Sequence, residues 1–104
     1  MTDLAEYARE GGELREIVAN YEWRPETSEG TSYGVVIKIR VYKLPDGSFM
    51  AWPSHKVKTP GQSSPYMSLT YKGSIEEAVI DCISGFRMFQ GTIEETTWLE
   101  NEDF

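Results

Sequence analysis

The chain has one cysteine and one histidine among its 104 residues. A lone cysteine, Cys82, forms no disulfide within the chain and supplies no cysteine-rich zinc site. A lone histidine, His55, is the only place where a Ser-His-Asp arrangement could be built. It lies in a Pro- and Ser-rich stretch beside Lys56, with no nucleophile elbow, and reads as a solvent-facing loop residue. No Walker loop, GxGxxG or HExxH pattern occurs. None of the 17 acidic residues has calcium-loop spacing. Glu76-Glu77 and Glu94-Glu95 are sequence neighbours, so neither pair shares a helix face. These absences argue against an enzyme, and no metal or cofactor is expected. No apolar run approaches the ~18 residues of a membrane span. The first residues, Met1-Thr2-Asp3-Leu4, lack a basic region followed by an apolar one, so no secretory signal is expected. The expectation is a cytoplasmic protein without a membrane partner, with Cys82 as a buried thiol.

Basic residues are scarce at both ends. Residues 31–73 hold six cations against one acid, Asp46, a net of +5. Residues 1–30 carry −5 and residues 74–104 carry −7, which gives the overall −7. Such asymmetry speaks about partners, not about fold. The chain length suits a single domain with one core. Residues 1–32 read as an N-terminal segment and loop, 33–91 as a sheet-plus-helix core, and 92–104 as an acidic tail.

Residues 2–10 suit a short helix, capped by Thr2 or Asp3 and ended by Gly11-Gly12. Residues 13–23 fit two patterns. Leu14, Ile17, Val18 and Tyr21 suit a helix; Ile17, Ala19, Tyr21 and Trp23 suit a strand. The helical reading is preferred. Residues 24–32 are a loop by composition. Tyr33–Lys43 alternates as a strand, with Val35, Ile37, Ile39 and Val41 on one side and Val36, Lys38, Arg40 and Tyr42 on the other. Leu44-Pro45-Asp46-Gly47 is a turn, and Ser48–Ser54 is the returning strand. His55–Pro65 reads as a loop and Tyr66–Lys72 as a third strand. Ser74, with Glu77 three residues on, is a capping box opening a helix to Gln90. Its apolar stripe is Ile75, Val79, Cys82, Phe86 and Phe89, and Gly91 is expected to end it. The fold class is α+β: three or four antiparallel strands packed on a C-terminal helix, with an additional N-terminal helix or edge strand.

Hairpin loop length decides what joins the basic strand face. A three-residue loop, Pro45-Asp46-Gly47, puts Phe49 and Ala51 in the core and Met50 and Trp52 beside Lys38 and Arg40. A two- or four-residue loop puts Phe49 there instead. The three-residue loop is preferred. Cations interleaved with rings suit single-stranded nucleic acid, with bases on rings and phosphates on cations. The expected contacts are Lys38, Arg40, Tyr42, Trp52, Lys56, Lys58, Tyr66 and Lys72. The plainer alternative is that these cations are merely solvated and blunt edge pairing. A protein-interaction module or homodimer using the same face is the rival function.

Ile39-Arg40-Val41, Gly47, Phe49-Met50-Ala51, Pro53-Ser54, Lys56 and Thr59-Pro60-Gly61, with Ile75–Val79 further on, resemble the core of the SpoVG family over residues 36–82. The resemblance implies a small nucleic-acid-binding regulator that dimerises through its sheet. Trp52 stands where that family has a smaller apolar residue, Val57-Lys58 looks like an insertion, and the first 30 residues have no counterpart. Glu100-Asn101-Glu102-Asp103-Phe104 is similar to the acidic, Phe-ending tips of some single-stranded DNA-binding proteins. That likeness implies competition for the basic face, and partner docking through Trp98 and Phe104. The alternative is a disordered solubilising end.

Overall fold

The computed structural model describes residues 15–104. The elements run β1 (Glu16–Trp23), β2 (Ile37–Lys43), β3 (Phe49–Pro53), β4 (His55–Lys58), β5 (Thr70–Lys72), α1 (Ile75–Phe89) and β6 (Thr97–Glu100). β1-β2-β3-β5 form a four-stranded antiparallel sheet, and β4-β6 form a second, two-stranded one. α1 packs on one face of the larger sheet, against β2, β3 and β5. This is the expected α+β architecture. No helix among the described residues is long and apolar enough to cross a membrane.

The core follows from two periodicities. Ile37, Ile39 and Val41 alternate along β2 and are buried; Ala51 joins them from β3. Ala78, Cys82 and Phe86 recur at four-residue spacing along α1 and meet Ile37, Ile39, Ala51 and Val57. Phe86 is the hub of the aromatic packing. Its ring lies 5.9 Å from Trp23, 5.7 Å from Trp98 and 6.3 Å from Tyr66. Ser74 caps the helix, accepting a hydrogen bond from the Glu77 N–H at 3.2 Å. Gln90, not Gly91, stops it: the backbone turns extended there, and its N–H bonds the Phe86 carbonyl.

The β2–β3 hairpin has the three-residue loop. Lys43 pairs with Phe49. Leu44 N–H donates to Ser48 O and Gly47 N–H to Leu44 O. Gly47 takes φ +88°, which a side chain would oppose. Asp46 accepts from both the Ser48 N–H and hydroxyl, and these bonds hold its carboxyl below the usual range.

Ser54 is where the chain leaves one sheet for the other. Its N–H donates to Lys38 O, continuing the β2–β3 ladder. Its carbonyl turns away and accepts from Asn101 N–H. Its hydroxyl then replaces the carbonyl, accepting the Lys38 N–H at 2.8 Å. Asn101, also buried, donates its side-chain amide to Pro53 O.

Several expectations need correction. Residues 16–23 are a strand, not a helix. β1 carries an irregularity between Ile17 and Ala19, and an extra residue there shifts the alternation. It makes Ile17, Val18 and Tyr21 imitate helical spacing. The strand expected from Tyr33 begins only at Ile37, because Gly34 takes φ +75°. Residues 55–58 are β4, not loop, and β6 replaces the middle of the expected acidic tail; each strand exists because the other pairs with it. The third strand is confined to Thr70–Lys72, with Tyr66 reduced to a single bridge to Val57. The helix expected over residues 2–10, with its Gly11-Gly12 end, lies outside the described residues.

Candidate nucleic-acid interface

The sheet face turned away from α1 gathers part of the expected site. Arg40 pairs with Trp52, and Tyr42 with Met50, so all four side chains share that face. Lys38 continues the row from Arg40. Across β1, Glu22 stands opposite Lys38, Asn20 opposite Arg40 and Ile17 opposite Tyr42. Tyr71 of β5 is opposite Met50. Met50 is buried although it points away from the helix-side core.

Arg40 is the centre of this face. Its Nη1 donates to the Tyr42 hydroxyl at 3.2 Å and to the main-chain oxygen of Phe104 at 2.9 Å. Its guanidinium carbon lies 4.1 Å from the centroid of the Phe104 ring, a cation–π contact. A turn built on Asn101 carries Phe104 there. Phe104 N–H donates to Asn101 O, and Asp103 N–H to Asn101 Oδ1. A second guanidinium, that of Arg15, lies 5.5 Å from the Tyr42 ring and 6.0 Å from the Trp52 ring. The order on the face is therefore ring, cation, ring, cation.

The remaining expected residues lie elsewhere. Lys72 faces the helix side and pairs with Asp81 at 3.0 Å, because its partner across the ladder is Phe49. Tyr66 packs with its ring tilted on Phe89 at 4.3 Å and edge-on against Phe86. Lys56 and Lys58 belong to the second sheet, and Lys58 Nζ bonds Gln62 O, bracing the turn after β4. Trp98, expected as a partner contact, is partly buried against the core, set edge-on to Trp23, Tyr33 and Phe86. Sequence reasoning missed Arg15, because residues 13–23 were read as helical. It also missed His55, whose loop is a strand.

Beside Phe104 lies a cleft of about 380 Å³ between the two sheets, lined among others by Lys38, His55 and Glu100. Burial pushes His55 below its ordinary pKa, and Glu100, its cross-strand partner, pulls the other way. A larger cavity, about 760 Å³, lies near the end of α1 and carries Glu26, Glu29, Glu94 and Glu95 against one cation, Arg87. Its charge suits no polyanion. Comparison of the chain with protein-family models, with curated proteins and with solved structures finds no match.

Proposed function

We propose that this protein binds single-stranded nucleic acid on the sheet face opposite α1, with Arg40, Tyr42 and Trp52 as the principal contacts and Lys38 and Arg15 flanking them. One observation carries the reading. Arg40 already holds a ring and an oxygen at once, both from Phe104. A nucleotide offers the same pair, a base to stack and a phosphate oxygen to bond. A bound strand would take the place of the Phe104 turn and continue along Tyr42 and Trp52.

The overall charge of −7 does not decide against this. Glu76, Glu77 and Asp81 lie on α1, beyond the thickness of the sheet, while on the face itself Glu22 stands opposite Lys38. Layers pack ~10 Å apart, about one screening length at physiological salt. The test is a labelled oligonucleotide titrated over a salt series. The log of affinity should fall with log salt at a slope of roughly −2 to −4, and Arg40→Ala should flatten it by about one. No binding at low salt, even with Phe104→Ala, removes the reading.

A second reading has its own observation. Among the described residues β1 is an outer strand of the sheet, and Ile17 and Tyr21 are 50% and 42% exposed along it. Such an edge suits strand pairing with a partner protein or a second copy. Light scattering at micromolar concentration should then show a species larger than the monomer, lost in Ile17→Lys. A monomer throughout removes the self-association form.

A further inference from the structure

The Ser54 hydroxyl has one hydrogen to place. Its oxygen accepts the Lys38 N–H, and the His55 Nδ1 lies 2.7 Å away. Ser54 is buried, so that hydrogen needs an acceptor, and the imidazole nitrogen beside it is one. Donation from Ser54 makes Nδ1 the acceptor and leaves the ring's hydrogen on Nε2. Neutral His55 is thereby set as a hydrogen-bond donor in the cleft that Lys38 also lines.

Glu100 of β6, opposite His55, and Phe104 also line the cleft, and Glu22 of β1 stands opposite Lys38. A proton added at His55 Nδ1 reverses the bond to Ser54, so that Nδ1–H donates to the hydroxyl oxygen, and it adds one positive charge beside Lys38. We infer that this cleft holds one anionic oxygen, a phosphate of the bound strand, between Lys38 and the His55 ring, and holds it more tightly once His55 is charged. This rests on the nucleic-acid reading for its ligand, though not for its chemistry: any tetrahedral oxyanion offers the same oxygen.

The sign follows from linkage. An anion that prefers charged His55 raises that group's pKa, and its own affinity rises as pH falls. A rise of about one unit corresponds to about tenfold in affinity. The chain has a single histidine, so its imidazole C–H signal is read by NMR without assignment. That signal is titrated with pH in sulfate, in chloride of equal ionic strength, and with a short oligothymidylate. Sulfate and the oligonucleotide should each raise the His55 midpoint relative to chloride, and Lys38→Gln should cancel the sulfate effect. Oligonucleotide affinity should rise about tenfold from about pH 8 to about pH 5, and His55→Gln should remove most of that rise.

The outcomes separate the two ideas. An oligonucleotide that binds while the His55 midpoint stays at its chloride value overturns the cleft and leaves the sheet-face reading. A sulfate shift dependent on Lys38, with no oligonucleotide binding at any pH, supports the cleft and removes that reading. A midpoint identical in sulfate and chloride, with pH-independent affinity, overturns the cleft outright.

Discussion

The two faces of the four-stranded sheet are made by alternate residues of the same strands, and they are built on different principles. Toward α1, Ile37, Ile39, Val41 and Ala51 are sealed among aliphatic and aromatic neighbours. Away from it, Arg40, Tyr42 and Trp52 are half-buried, and their contacts are cation–ring and hydrogen-bond contacts. The first face derives its stability from area removed from water. The second buries less apolar area, yet it fixes a half-buried guanidinium between oxygens and a ring. The contrast teaches that on this hairpin one strand face serves the fold, while the other gathers the cations and rings of the proposed interface.

The sharpest way to break the contrast is in the core. Phe86→Ala removes a fully buried ring touched by Trp23, Tyr66 and Trp98. It should cost about 3–5 kcal/mol, read as a lowered urea midpoint. Gly85→Ala tests packing from the other direction. A Cβ there collides with the Ser68 and Tyr66 hydroxyls, so the substitution should destabilise by about 1–3 kcal/mol, despite alanine's better helix propensity. On the opposite face, Arg40→Ala should leave the urea midpoint within about 1 kcal/mol of the parent while lowering oligonucleotide affinity about tenfold. Phe104→Ala should be the mildest. It removes the ring from Arg40 while leaving the bond to the main-chain oxygen, and should raise oligonucleotide affinity a few-fold, by about 1 kcal/mol at most, without shifting the melt. Equal stability losses for Arg40→Ala and Phe86→Ala would erase the distinction between the faces.

Cys82 belongs wholly to the helix-side face. Burial pushes its thiol up to about 12, so it carries almost no thiolate at neutral pH. A colourless-to-coloured thiol reagent should fail to react with the native protein and react fully in denaturant. Fast labelling of the native state would contradict the packing.

The parts legible from sequence were those whose signal is local. Gly47 after Pro45-Asp46 marks a three-residue loop, and that loop alone sets Trp52 beside Arg40. Ser74 and Glu77 mark the helix start, and of the expected stripe Cys82 and Phe86 are buried while Phe89 is exposed; Ala78, outside that stripe, completes the buried row. What was not legible depends on distant partners. β4 and β6 have little pattern of their own; each strand is defined by pairing with a segment some forty residues away. The extra residue at Val18 spoils the alternation of β1, and with it the placement of Arg15. Lys72 is a cation in a strand, which suggests an outer face, but its register with Phe49 puts it on the helix side, where Asp81 pairs with it. Ser54 reads as the plain end of the returning strand. Only the crossing of two sheets gives its hydroxyl a ladder position.

Trp52 is the tryptophan on the outer face, while Trp23 and Trp98 pack, partly buried, against Phe86 on the helix side. Tryptophan fluorescence during titration with a single-stranded oligonucleotide therefore reports on that face directly. The account predicts saturable quenching at low salt that disappears in Trp52→Phe and weakens in Arg40→Ala. Unchanged fluorescence at saturating oligonucleotide, or quenching that persists in Trp52→Phe, would contradict it.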